Sequence, residues 1–287
     1  MDMSVNGYSD SYLKENPAAI SCVNIANSLV NILGGLESFL SEVGPVLRKA
    51  VDEVIDMPRT QRFSLSQLEK TEKTYIGTKV EILIRHLLQV PKGKVLDLSV
   101  DGVELDVKNT IGTGWMIPKE AVNQHCLLIK INDKKGRFSI GVVFCSLDNI
   151  TAGMNQDQKR SISPGNKAIF WIGKNVRMQE NFFENLSPGV CAQLTELNVS
   201  GAEKIRRLCR LVPNTVIDRY IVECVANQKD PMKRLRKNGG ARDSLEKEGI
   251  LILTGAYDSE ELKNLGFTDV NQDQFVAVNT RLLNLKS

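Results

Sequence analysis

Histidine is scarce in this chain of 287 residues: His86 and His125 are the only two, and neither has partners at metal-ligand spacing. A zinc site is therefore not expected. The six cysteines (Cys22, Cys126, Cys145, Cys191, Cys209 and Cys224) include no C-x-x-C pair. Most lie in apolar stretches, which reads as reduced core thiols of a cytoplasmic protein. The first residues carry Asp2 and Asp10 with no basic leader before an apolar core, so no signal peptide is read. No run is apolar enough to cross a bilayer. The most apolar N-terminal stretch, residues 25–40, is interrupted by Asn, Ser, Gly and Glu, and Leu29, Ile32, Leu33, Leu36 and Leu40 recur there at helical spacing. A strong charge imbalance is also lacking: at a net +3, any nucleic-acid surface must come from local clustering. Internal repeats and low-complexity tracts are absent. What remains is globular in composition, 42% hydrophobic and 25% charged, over a length that suits two ordinary domains.

Against this background the run from Lys94 to Lys108 stands out. Asp101-Gly102 between two alternating apolar runs predicts a β-hairpin with a two-residue loop. That loop fixes the pairing: Val100 faces Val103, Ser99 faces Glu104, Leu98 faces Leu105 and Asp97 faces Asp106. Lys108, two residues beyond Asp106, points to the same face. Leu96, Leu98, Leu105 and Val107 point the other way, so one face is core and the other an acid and lysine site. Like charges directly across a strand pair are destabilising. A divalent cation between the two carboxylates offsets the repulsion. Scattered acids are usually just solvated, and D-x8-D-x-K alone is a moderately specific pattern. Here the register makes the acids neighbours.

Glu81 adds a third acid. It sits on an apolar helix before the hairpin, between Val80 and Ile82. One reading pairs it with Arg85 at i,i+4; the other turns it toward a metal. Glu104 shares the face of Asp106 but lies nearer the tip, as a spare acid. Phosphodiester hydrolysis needs charge stabilisation on the scissile phosphate and an activated water. Carboxylate oxygens suit Mg²⁺, and Lys108 can orient or deprotonate the water or stabilise the transition-state charge.

Along the chain, residues 1 to about 17 read as frayed. One or two helices follow to Ile55. Ser66-Gln-Leu-Glu69 has the form of a capping box for a helix to about Gln89 that buries Ile76, Val80, Leu83, Ile84, Leu87 and Leu88. Residues 127–132 and 138–145 read as strands joined by an Asp-Lys-Lys-Gly turn, with a further short strand at 168–172. The expected domains are an endonuclease domain over 1–175, a linker over 176–200 with one turn of helix ending near Ser187-Pro-Gly189, and a DNA-binding domain over 201–287. Helices are read at 202–212, 215–227 and 241–248, with Asp230-Pro231 opening another, and strands at 250–254 and 275–279. Helix, Gly-containing turn, helix and β-ribbon is the order of a winged helix-turn-helix. Lys229, Lys233, Arg234, Arg236, Lys237 and Arg242 bracket Gly239-Gly240 there, which makes them candidate phosphate contacts rather than only a solvated face. Trp115 reads as a core aromatic or a DNA contact. His125 and Cys126 precede an apolar strand and read as packing rather than a nucleophile pair.

Three segments resemble the NaeI-type restriction endonucleases. Residues 63–81, ending at Glu81, look like the helix carrying that family's first catalytic acid. Residues 101–108, followed by Gly114-Trp-Met-Ile-Pro-Lys-Glu120, look like its catalytic hairpin, and residues 230–253 are similar to its C-terminal DNA-binding domain. The likeness covers about residues 50–255 in the same order. It implies an α/β (α+β) chain: a PD-(D/E)xK endonuclease-like mixed sheet flanked by helices, then a winged-helix domain like that of the catabolite activator protein. It carries the active acids to Glu81, Asp97 and Asp106 and the lysine to Lys108. It also implies Mg²⁺-dependent cleavage of double-stranded DNA by a homodimer, with a second DNA copy bound as effector. Leu96 departs from the proline that names the superfamily. The rival readings are a DNA-binding regulator on a non-catalytic nuclease scaffold and a nicking or repair endonuclease.

Overall fold

At the Asp101-Gly102 turn both central residues have positive φ, 49° and 81°. That is the type I′ backbone, and it explains why Asp-Gly occupies it. In this computed structural model, which describes residues 16–226, 235 and 240–283, the turn joins β1 (Leu98–Val100) to β2 (Val103–Thr110). Leu98 lies opposite Leu105, Ser99 opposite Glu104 and Val100 opposite Val103, the register expected.

The described chain divides into two units, 16–55 with 64–181, and 56–63 with 182–283. In the first, β3 (Trp115–Ile117), β4 (His125–Asn132), β5 (Arg137–Phe144), β6 (Arg160–Ile162) and β7 (Phe170–Arg177) follow the hairpin. The main sheet has the order β1-β2-β4-β5-β7. It is mixed: β2 and β4 run parallel, and the other neighbours run antiparallel. Residues 126–129 of β4 are buried on both faces, as the centre of a sheet covered on both sides requires. The small β3–β6 pair brings Trp115, Ile117 and Ile162 into one cluster with Cys126, Leu128, Val143 and Cys145.

Helices α1 (Pro17–Ile32) and α2 (Leu36–Ile55) pack on this sheet and α4 (Lys70–Leu88) packs on α2 and β2. Pro17 stands at a helix start, where its missing N–H costs nothing. Gly34 and Gly35 take φ values of 81° and 123° and turn α1 into α2 through 79°. Among the described residues no single helix is long and apolar enough to cross a membrane. The box that opens α4 is set by Glu69 rather than Ser66: Glu69 caps the helix and its N–H donates to Glu72 Oε2 at 2.8 Å. Ser64 and Gln67 form a second box around the short turn before it. Ile76, Val80, Ile84 and Leu88 form the buried stripe of α4, with Leu83 and Leu87 half-buried beside it.

Arg48 of α2 is buried and pairs with Asp52 at 2.6 Å and with the buried Asp133 in the β4–β5 turn. Asn181 Nδ2 donates to the other oxygen of Asp133 at 3.3 Å. The network fastens a helix to a turn far away in sequence.

The second unit contains α3 (Met57–Thr60), α5 (Pro188–Thr195), α6 (Gly201–Leu211), β8 (Val216–Asp218), α7 (Arg219–Ala226), α8 (Ala241–Glu246), β9 (Ile250–Thr254), α9 (Ser259–Asn264), β10 (Gln274–Asn279) and α10 (Thr280–Leu283). Its sheet is antiparallel in the order β8-β10-β9. Arg210 of α6 grips Glu248 with two hydrogen bonds of 2.8 Å. Three expectations change here. Within residues 176–200, β7 reaches Arg177, the expected single turn of helix forms at Phe183–Asn185 just before Ser187, and Ser187-Pro188 opens a further helix, with Ser187 Oγ accepting from Val190 N at 3.3 Å. The helix read at 215–227 begins as β8, whose pairing with β10 wins over local propensity. A piece of the second unit, 56–63, lies within the stretch assigned to the first domain. The Asp230-Pro231 helix start falls outside the described residues.

An Arg48→Ala variant leaves Asp133 buried without its cation. Urea unfolding should show a loss of about 3–5 kcal/mol. Arg59→Ala breaks a pair with Asp56 in which the arginine side chain is 81% exposed, and should change stability by less than about 1 kcal/mol. All six cysteines are buried, and burial pushes the Cys22 and Cys209 thiols up to about 12. A thiol-reagent titration at neutral pH should therefore find no fast-reacting cysteine until denaturant is added.

Candidate active site

Leu96, Leu98, Leu105 and Val107 of the hairpin are core as read, and Asp106, between Leu105 and Val107, is buried as well. Asp97, immediately before β1, accepts the Val107 N–H on Oδ2 at 2.7 Å. That bond ties the first acid to the strand carrying the second. Asp106 is 4% exposed, and its Oδ1 accepts from Lys108 Nζ at 2.7 Å. Burial pushes the Asp106 carboxyl up to about 6; Lys108 opposes the rise, and a hydrogen bond with the neighbouring Asp97 adds to it. Burial works against the charge on Lys108, but Asp106 and Asp97 outweigh it and raise its pKa.

Glu81 is half-buried on α4. Its two readings merge. Arg85 Nη1 donates to Glu81 Oε1 at 3.3 Å and to the Asp97 carbonyl at 3.1 Å, so one guanidinium joins helix and hairpin. Burial raises the Glu81 pKa first and Asp97 adds to it, while Arg85 and Lys108 pull it down. Glu81 thus lies within electrostatic reach of Asp97 while staying bound to Arg85. Among the described residues no three His, Cys, Asp or Glu side chains converge closely enough to cage a metal ion.

Glu104 is not a spare acid. It accepts the N–H groups of Lys94 at 2.7 Å, Val95 at 3.0 Å and Leu96 at 2.9 Å, and these hold its pKa below the usual range. A Cβ at Gly93 would lie 2.8 Å from Leu96 O and 3.0 Å from Glu104 Oε2, which explains the glycine. Glu104 thereby shapes the turn that delivers Asp97. Arg85 and Glu104 are the supporting residues to which sequence reasoning gives other roles. The i,i+4 spacing exposes half of the Arg85 contact, and nothing local marks the backbone donors around Glu104.

Cys126 lies beside Asp106 in the parallel register, with Sγ 4.0 Å from Asp106 Oδ2, and Cys145 Sγ is 3.3 Å from Cys126 Sγ. His125 packs its half-buried ring on Phe144, and burial lowers its pKa. Adjacent strand residues point to opposite faces, so His125 and Cys126 do not form a nucleophile pair. Trp115 is a core side chain, 1% exposed, whose Nε1 donates to Ile129 O at 2.8 Å. Lys229, Lys233, Arg234, Arg236 and Lys237 lie outside the described residues. Arg242 stands half-buried in the first turn of α8, with no hydrogen-bond partner for its buried Nε among the described residues.

A family model described as "Restriction endonuclease NaeI" matches residues 39–284, a span that includes the acid pair, Glu81 and Lys108. A relative named "Type II restriction enzyme NaeI", from Lentzea aerocolonigenes, is 34% identical over 241 residues, covering 81% of this chain and 76% of the relative. With two neighbouring acids, one of them buried, and a lysine carried on a mixed sheet within the matched span, the chain belongs to the NaeI family of restriction endonucleases, enzymes that cleave DNA.

Proposed function

We propose that this protein is a Mg²⁺-dependent, homodimeric type II restriction endonuclease that cuts both strands of double-stranded DNA at a specific sequence. The observation that carries the catalytic reading is the cluster of Asp97, Asp106 and Lys108 on one hairpin face. Two carboxylates pressed together, one of them buried and pushed toward protonation, are a donor set that a divalent cation relieves. Mg²⁺ keeps several waters and takes one or two carboxylates, which fits Asp97 and Asp106 as direct ligands with Glu81 acting through water. Bound there, Mg²⁺ would supply charge stabilisation on the scissile phosphate and a more acidic water.

The chain's own groups do the rest. Lys108, held by Asp106 at 2.7 Å, presents an ammonium on the face where the phosphate lies. It orients the attacking water and stabilises charge growing on the phosphoryl oxygens. Arg85 keeps Glu81 and the Asp97 backbone at a fixed relation, so the acids are placed before substrate arrives. A homodimer brings two such sites to the two strands, which suits cleavage of a symmetric sequence.

The second unit is proposed to be a winged-helix domain that binds a further DNA copy as effector. Its support is the order of helices ending in an antiparallel ribbon of β9 and β10, together with the basic run of Lys233, Arg234, Arg236, Lys237 and Arg242. These cations would contact phosphates and position DNA without reading its sequence.

Asp106→Ala and Lys108→Ala should each slow plasmid cleavage with Mg²⁺ by about 10²-fold or more while DNA binding stays measurable by gel shift. Cleavage by either variant at the wild-type rate would overturn the assignment. Linear product supports the dimer, and persistent open circles would indicate a nickase. Replacing Lys233, Arg234 and Arg236 together with alanine should weaken DNA binding and flatten its dependence on salt, by about 0.9 in log–log slope for each phosphate that is no longer neutralised. An unaltered slope would remove that cluster from the interface.

A further inference from the structure

The acid pair has a neighbour that the catalytic reading does not use. Cys126 sits on β4 directly beside Asp106, in register and on the same face of the parallel pair. Its Sγ is 4.0 Å from Asp106 Oδ2, and Cys145 Sγ lies 3.3 Å behind it. The surrounding cluster is otherwise apolar: Trp115, Ile117, Leu128, Val143 and Ile162 pack around the two thiols.

We infer that Cys126 is a positioning residue for DNA cleavage, whose S–H, backed by Cys145, holds the Asp106 carboxylate in the plane that serves the active site. The inference rests on the reading of Asp106 as an active carboxylate. An aspartate χ2 torsion is broad and nearly two-fold, so each further hydrogen bond narrows the rocking of the carboxylate. Lys108 fixes Oδ1 at 2.7 Å. The same carboxyl shares a hydrogen bond with Asp97, and Cys126 adds a thiol donor at Oδ2. Each thiol has one proton. The Cys145 S–H is directed at Cys126 Sγ, which leaves the Cys126 proton for the carboxylate. A thiol is also small enough for the two strands to keep their spacing next to a carboxylate, which a Leu or Ile at this position would crowd. Groups that orient a metal-binding side chain from behind commonly affect metal affinity and turnover together.

The test compares Cys126→Ser, Cys126→Ala and Cys126→Val in the full-length protein. Ser keeps a donor, Ala differs from Ser by the hydroxyl alone, and Val fills the space without a donor. Four quantities are measured: the single-turnover rate on plasmid DNA with Mg²⁺, the affinity for Mn²⁺ by calorimetry without DNA, the Kd for DNA without metal, and the melting temperature. The Ala and Val variants should lose about three- to tenfold in single-turnover rate and in Mn²⁺ affinity, the scale of one weak hydrogen bond. Their Kd for DNA should not move. Ser should keep both quantities within about twofold of wild type. If Val melts early, the Ser–Ala comparison carries the test. Ala or Val variants with wild-type rate and Mn²⁺ affinity would overturn the inference, as would a Ser variant as impaired as Ala at the same melting temperature. An Asp106→Ala control separates the two levels. Wild-type cleavage by that control would sink the catalytic reading itself. An inactive control beside a fully active Cys126→Ala sinks only the role of the thiol.

Discussion

The enforced closeness of Asp97 and Asp106 is the constraint from which the rest of the first unit follows. Two carboxylates on adjacent strands repel, and in a buried setting they resist joint ionisation. The hairpin cannot relieve this by slipping. A shift of one residue would send Leu98 and Leu105, both fully buried, to the wrong face. The bond from Val107 N to Asp97 closes the other route of escape, because it fastens the first acid to the strand bearing the second. Arg85, Lys108 and the Glu104 turn each stabilise an arrangement that would otherwise spread apart. Local free energy is given up to hold the two carboxylates together, a trade that is common at functional sites.

How much of this is legible in the sequence varies with range along the chain. The hairpin register is readable because a two-residue Asp-Gly loop leaves no freedom in pairing, and the face of Lys108 follows from strand alternation. Glu81 is readable as a residue of interest, since an acid on an apolar helix needs a reason. The Glu104 role is not. Its partners are backbone N–H groups, which nearly every residue owns and no sequence pattern advertises. Arg48 meeting Asp133 is hidden for a different reason: 85 residues separate them, and only the packed fold brings them together. Cys126 reads as packing from sequence, because the parallel pairing of β2 with β4 is needed to see what it packs beside.

Errors in the second half have their own physics. Val216 to Asp218 is a three-residue strand whose identity comes from β10, about 60 residues later. Short apolar runs of this kind suit helix and strand alike, and tertiary pairing decides. Ser187-Pro188 follows the end of the turn at Phe183–Asn185 as expected, and it also opens the next helix, because proline is well suited to the first helical turn. The family match begins at residue 39, beyond α1, although that helix buries Cys22, Leu29 and Val30 in the first unit. Similarity between sequences and membership of a core are thus separate properties in this chain.

The excursion at residues 56–63 has a consequence for biogenesis. Those eight positions leave the ribosome ahead of the catalytic strands, yet they belong to a body whose remaining parts begin at Phe182. Seen from the emerging polypeptide, the later body stays incomplete until residues beyond Phe182 have been made. No single cut in the chain can release both bodies with all their pieces. A product ending near Asn181 carries an orphaned fragment of the companion, and one starting at Phe182 lacks it. Such interlacing leaves the second unit unfinished until the segments after Phe182 have been made.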